Sequence, residues 1–380
     1  MCLNSKYSAI FTAMKKTSLF SFFILIGNIL YSQEEQRPFS IEADYFYGSI
    51  LEHNPDIGHL ITAHPEGFVL KYNFKTYGFK EWERRYNYPD WGFSFLYHGT
   101  KNETLGDLYG IYSHLSWYFL NRNLRLSVGQ GIAYATNPYD ADNNYRNNAY
   151  GSHLLSSTYL QGAFIKENIW NGIGMYAGIT LVHYSNGNIK PPNTSTNTLG
   201  FTLGVNYLID AENFPEIIAS EEVERHTEPI RYNAVFRFGV TGSDVIGLGA
   251  EPFYIFSAYA DKTLSRKSNV QLGAEVFFST FLKEYINYRS IAYPEDNLSG
   301  DEDYKRVGVF AGYEMRFNKI SAFVNLGFYA YYPYDFEGRM YNRLGLKRSF
   351  GKNENIFVLV DVRSHAAKAE AFELGIGYRF

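Results

Sequence analysis

TLGFTLGVNYLI, residues 198–209, alternates between two kinds of side chain at almost every step. The odd positions are Leu199, Phe201, Leu203, Val205, Tyr207 and Ile209; the even ones are Thr198, Gly200, Thr202, Gly204, Asn206 and Leu208. A strand turns successive side chains to opposite faces, so one face here is apolar and the other mostly small or polar. The final residues, AFELGIGYRF at 371–380, repeat the pattern. Phe372, Leu374, Ile376, Tyr378 and Phe380 share one face; Ala371, Glu373, Gly375, Gly377 and Arg379 share the other. A soluble barrel hides its apolar face, whereas a barrel in lipid displays it and turns polar groups inward. Only closure of the sheet satisfies its edge backbone groups in hydrocarbon.

Similar segments fill the chain. The first set of expected strands is 39–50, 68–78, 91–99, 107–120, 124–135, 152–166, 173–185 and 198–209. The second is 231–241, 248–262, 268–287, 304–317, 320–332, 339–350, 355–365 and 371–380. Many exceed the ~5–6 residues of an average soluble strand and match the roughly 9–11 that a tilted strand needs to cross a bilayer. With a periplasmic N-terminus, the connections 51–67, 136–151, 186–197 and 288–303 lie outside the cell and are long. The periplasmic connections 121–123, 318–319 and 351–354 are short, the usual asymmetry of such barrels. The connection 79–90 (FKEWERRYNYPD) is a long exception.

An acidic stretch, 210–230, separates the two sets; it carries Asp210, Glu212, Glu216, Glu221, Glu222, Glu224 and Glu228 against Arg225. It reads as a solvated linker, too long for a hairpin turn. Each half also ends in a similar strand, LGVNYLI at 203–209 and LGIGYRF at 374–380. The expected fold is therefore all-β: a transmembrane antiparallel architecture of two tandem eight-stranded barrels. One barrel of about sixteen strands is the alternative.

Composition narrows the class. The 380 residues are 19% charged and 18% aromatic, with 34 Tyr and 31 Phe, too much apolar surface for a disordered chain. The single cysteine, Cys2, has no partner for a disulfide scaffold. Mean hydropathy is −0.27, and beyond the N-terminus no run of about 18 apolar residues marks a membrane helix. A net charge of −4 argues against nucleic acid as a partner. Lys15 and Lys16 before the apolar run Leu19 to Leu30, with small Ser32 after it, read as a secretory signal. Met14 offers a second start. The expected organisation is a signal peptide at 1–32, a first barrel at 33–209, the linker at 210–230 and a second barrel at 231–380.

Candidate chemistry sits at the outer end of the seventh strand, in His183-Tyr184-Ser185-Asn186-Gly187-Asn188. His183 and Ser185 are two apart and continue the lipid-facing row of Met175, Ala177, Ile179 and Leu181. Polar groups there are costly unless they meet a headgroup. A serine hydroxyl needs a base, and histidine is the usual one. Asn197, at the outer end of the eighth strand, shares the outward parity and is placed to orient the imidazole.

The stretch HYSNGNIKPPNTSTN, 183–197, resembles the active-site segment of the outer-membrane lipid A 3-O-deacylases, the PagL-type acyloxyacyl hydrolases. That resemblance implies an eight-stranded barrel in the first half that removes an ester-linked acyl chain from lipid A in the outer leaflet. It implies His183 as general base, Ser185 as nucleophile and Asn186 as an oxyanion donor. The family's second oxyanion residue, a glycine, falls on Asn188, with Gly187 one place early. The family's acid falls on Asn197, which can orient imidazole but cannot neutralise imidazolium. Asp140 and Asp142 are candidate replacements. The mechanism needs no metal or other cofactor, and its partner is lipopolysaccharide. The competing expectation is a non-catalytic outer-membrane barrel that is structural, adhesive or a pore.

The seventh strand of the second half ends Arg363-Ser364-His365, which places Ser364 outward and His365 inward; no catalytic site is expected there. Asp361, Arg363, Glu373 and Arg379 are expected to form a charged interior network. His59, His64 and Glu66 are expected to pack a loop rather than bind metal, and Asp140 with Asp142 and Asn144 lacks the remainder of a calcium loop. Arg146 and Lys190 are expected to be solvated, with lipid phosphates as alternative partners. The acids of 295–303 are expected to form a solvated loop.

Overall fold

The computed structural model describes residues 38–209, 212, 215–219, 226–366 and 368–380. The expected signal peptide and much of the acidic linker lie outside the described residues.

Strand-forming alternation becomes sixteen strands. The first eight are β1 (Phe39–Ile50), β2 (Glu66–Phe74), β3 (Asp90–Gly99), β4 (Asp107–Phe119), β5 (Leu124–Ala135), β6 (Leu154–Trp170), β7 (Ile173–Ser185) and β8 (Thr196–Leu208). The second eight are β9 (Arg231–Gly242), β10 (Ala250–Thr263), β11 (Ser268–Ser279), β12 (Arg306–Phe317), β13 (Ile320–Tyr331), β14 (Met340–Phe350), β15 (Ile356–His365) and β16 (Lys368–Arg379). Each set is an antiparallel meander, closed by β1 pairing with β8 and by β9 pairing with β16. The fold is two eight-stranded barrels, not one barrel of sixteen.

Each barrel is apolar outside and filled inside. Phe201, Leu203 and Val205 of β8 are exposed, while Thr198, Thr202 and Asn206 on its other face are buried. In the first barrel the lumen has two zones. Toward the long loops it is packed with Phe46, Leu96, Leu108, Tyr112, Leu155, Val182 and Tyr184 beneath the short 3-10 helix Pro55–Leu60. Toward the short turns it holds ion pairs, including Arg125 with Glu42 at 2.6 Å and Lys71 with Asp44 at 3.1 Å.

The second lumen is charged at mid-height. Arg343 lies 3.0 Å from Asp361 and 2.8 Å from Glu373, and Arg363 lies 2.7 Å from both Glu373 and Glu370. Arg379 pairs instead with Asp261 at 2.5 Å, apart from the other three residues of the expected network. Charges buried this deeply persist only when paired and hydrogen-bonded.

Two segments differ from their expected form. The expected strand 268–287 ends at Ser279, and the helix α2 (Thr280–Ala292), numbered after the short α1 (Glu81–Arg85), follows it. Phe281, Leu282 and Ile286 of α2 are buried against Tyr304, Tyr334 and Phe336, a helical rather than alternating set. The long connection after β2 contains α1 and reaches the second barrel. There Tyr86 stacks on Phe317 with ring centroids 4.4 Å apart and donates a hydrogen bond to the Arg316 carbonyl at 2.8 Å.

Candidate active site

β7 carries Met175, Ala177, Ile179, Leu181 and His183 in one outward row. Tyr184 points the other way, into the packed lumen, 3.1 Å from His98 Nδ1. His183 faces Asn197 directly across the β7–β8 ladder. Its Nδ1 lies 2.8 Å from Asn197 Oδ1. An amide oxygen only accepts, so Nδ1 carries the proton and Nε2 keeps its lone pair.

Ser185 closes the strand, and residues 186–195 fold over it, leaving it 4% exposed. The Asn193 amide Nδ2 donates to Ser185 Oγ at 2.9 Å, with Asn193 Oδ1 3.2 Å from the same atom. The Gly187 N–H donates to Ser185 Oγ at 3.0 Å, and the Asn186 N–H donates to Asn193 Oδ1 at 2.7 Å. Gly187 has φ +64°, a left-handed turn that glycine takes without steric penalty and that brings its N–H back onto the serine. Ser185 is held by Asn193, not by His183, although both lie in one row about 6.6 Å apart along the strand.

The side chains of Asn186 and Asn188, both expected beside the oxyanion, are turned elsewhere. Asn186 Nδ2 donates to the Lys190 carbonyl at 2.5 Å. Asn188 Nδ2 donates to the Ala369 carbonyl of β16 at 2.8 Å, while its Oδ1 accepts from Asn193 Nδ2 at 2.8 Å. The Asn188 carbonyl accepts from the Gly242 N–H, at the end of β9, at 3.0 Å. Buried amides take the partners within reach, and here the loop and the second barrel supply them. Asn193 was not legible in the sequence, because it sits in a loop where no period assigns direction; its position after Pro191-Pro192 was the one available signal.

Other sequence candidates are occupied locally. Asp140 Oδ1 accepts from the Asp142 and Asn143 N–H groups at 3.1 and 2.8 Å, closing its own turn. His59 Nε2 bonds the Arg146 carbonyl at 2.8 Å, and His64 Nδ1 the Gly48 carbonyl at 3.1 Å. Among the described residues no group of three or more His, Cys, Asp or Glu is gathered as for a metal ion. In the second barrel His365 Nδ1 faces the Met340 carbonyl at 3.0 Å and Nε2 faces Glu370 at 2.6 Å, so neither nitrogen is open to accept a proton.

Comparison with known proteins adds a family. Residues 66–206 match the family model described as lipid A 3-O-deacylase (PagL). Residues 230–380 match the model described as acyloxyacyl hydrolase, C-terminal domain. No curated protein matches the chain. Among solved structures, the outer membrane enzyme PagL aligns with 15% identity and a TM-score of 0.29, covering 43% of this chain and 97% of that one. Neisserial surface protein A aligns with 10% identity and a TM-score of 0.28, covering 45% and 97%. Acinetobacter baumannii OccAB3 aligns with 12% identity and a TM-score of 0.22, covering 91% and 100%. The family matches cover most of both barrels, and the chain resembles the PagL-type lipid A deacylases in its second half as well as its first.

Proposed function

We propose that the chain is an outer-membrane serine esterase that hydrolyses an ester-linked, 3-O acyl chain of lipid A in the outer leaflet. The observation that carries this reading is the His183 Nδ1–Asn197 bond in an outward row, which leaves Nε2 basic on the side of the barrel that meets lipid.

The resting serine turns about its χ1 bond from Asn193 toward His183, a change between staggered rotamers that substrate can stabilise. Ser185 Oγ attacks the ester carbonyl as its proton passes to His183 Nε2. The Gly187 N–H and Asn193 Nδ2 are the donors nearest the serine oxygen and stabilise the tetrahedral oxyanion. Collapse breaks the bond to the sugar oxygen, which takes the proton from Nε2. Water then attacks the acyl-enzyme, with His183 again as base. Collapse breaks the bond to Ser185 Oγ, which takes the proton back from Nε2, and the fatty acid leaves. Asn197 holds the ring's tautomer but adds no charge to offset imidazolium. The steps use side chains, one backbone N–H and water, and lipopolysaccharide is the partner.

Mass spectrometry of lipid A from cells with the chain, with its Ser185→Ala variant and without it tests the reading. Loss of one ester-linked acyl chain in the first sample alone is expected. Identical lipid A in all three ends the proposal.

A further inference from the structure

The outward surface of the first barrel is apolar between its rims except along one line. The ladder register aligns Asn197 of β8, His183 of β7, Thr158 of β6, Gln130 of β5 and Ser113 of β4 side by side. All five belong to outward rows, and Ser113 and Gln130 are exposed. One step toward the loops, Ser156 pairs with Ser185. Beyond Ser113 the same line turns apolar, through Phe93, Tyr72 and Ile41. Ser113 is the middle residue of a 13-residue strand, so the line descends from the rim into the hydrocarbon zone.

Polar side chains on a lipid-facing surface are unfavourable, and these are only partly satisfied by one another. Thr158 Oγ1 donates to Gln130 Oε1 at 2.5 Å, and Gln130 Nε2 donates to Ser156 Oγ at 3.2 Å. The Ser113 hydroxyl has no protein partner among the described residues. The second barrel is a control: β12, β13 and β15 show Val309, Ala311, Leu326, Val358 and Val360 at mid-height, and its outward polar pair Asn342–Ser364 sits near the rim.

We propose that Gln130 and Ser113, with the Thr158 hydroxyl holding the Gln130 amide, form a second substrate-binding site, which donates hydrogen bonds to the carbonyl of a neighbouring acyl linkage on the same glycolipid. This rests on the esterase reading above. Strands lie about 4.8 Å apart, so Gln130 is about 10 Å from His183 around the barrel wall, which sets the spacing between scissile and recognised carbonyls. The site selects multiply acylated lipid over a lone ester.

The test compares full-length wild type, Gln130→Leu, Gln130→Leu with Thr158→Val, and Leu160→Val, an outward residue off the line, on purified lipid A and on a short p-nitrophenyl ester. Leucine and valine suit a lipid face, and heat-modifiable gel mobility checks that each barrel is folded. The expected result is a fall of about tenfold in the ratio of lipid A to short-ester kcat/KM for Gln130→Leu, through KM, and a larger fall for the double variant. Leu160→Val should keep the wild-type ratio. An unchanged ratio in folded Gln130→Leu overturns this proposal while wild type still cleaves both substrates. Wild type that cleaves neither overturns the esterase reading itself.

Discussion

β7 ends His183-Tyr184-Ser185, and β15 ends Arg363-Ser364-His365. In the first barrel the hydroxyl and the imidazole share the outward row, and the imidazole keeps one nitrogen free. In the second, adjacent residues point to opposite faces, and the imidazole is fixed inside by Glu370 and the Met340 carbonyl. A strand's period of two makes one residue of spacing the difference between a pair on one face and a pair split between two. The connections differ as well: residues 186–195 cover Ser185, whereas β16 starts at Lys368, directly after β15 ends at His365 but for two residues. Two barrels of one architecture thus differ in where these side chains point.

The sharpest way to break that comparison is to remove each hydroxyl in turn. Ser185→Ala should lower lipid A deacylation on the order of 10⁴-fold or more, as nucleophile removal does in serine hydrolases. Ser364→Ala should leave it within about twofold, a surface-type change. Equal losses by mass spectrometry would show that the two strand ends are not chemically distinct. The lumens separate the barrels next. Glu373 sits between Arg343 and Arg363, and Glu373→Ala leaves buried guanidinium charge unbalanced. The expected cost is about 3–5 kcal/mol of stability, read by reversible unfolding in detergent or lipid.

Much of the fold was legible because alternation, loop length and barrel closure are all local or periodic. The end of β7 was readable for the same reason: parity alone puts His183, Ser185 and Asn197 on one surface. The side-chain directions of Asn186, Asn188 and Asn193 were not, because a loop has no period and its amides take whichever partners tertiary packing delivers. The α1 segment reads as an overlong turn until the second barrel is present to receive Tyr86. The α2 segment follows an apolar strand without a break in composition, but its apolar pairs Phe281-Leu282 and Tyr285-Ile286 are spaced as on a helix and pack inward as one.

Asn193→Ala sharpens the contrast within the loop. It removes the amide that holds Ser185 and that is proposed as one of the two oxyanion donors. A fall of about 10²-fold in kcat is expected, the scale of losing one such donor. A rate rise instead would mean that Asn193 only restrains the serine. Asn197 works in the opposite direction. Asn197→Glu supplies the charge that an amide lacks and should raise kcat by about tenfold, part of the ~10⁴ that separates Asp from Asn in the serine-protease triad. The gain should vanish when Ser185→Ala is added.

The smallest effect tests whether the second barrel helps the first. Asn188 joins them, with Nδ2 on Ala369, its carbonyl on Gly242 and Oδ1 on Asn193, which holds Ser185. Asn188→Asp keeps the acceptor for Asn193 and loses the donor to Ala369, so it weakens the hold of the second barrel selectively. One hydrogen bond contributes about 1 kcal/mol net, so kcat should fall about threefold to fivefold with KM nearly unchanged. Asn188→Ala, which also loses the Asn193 contact, should fall further. If Asn188→Asp matches wild type while Asn188→Ala does not, the loop is positioned from within the first barrel, and the contact with β16 is packing alone.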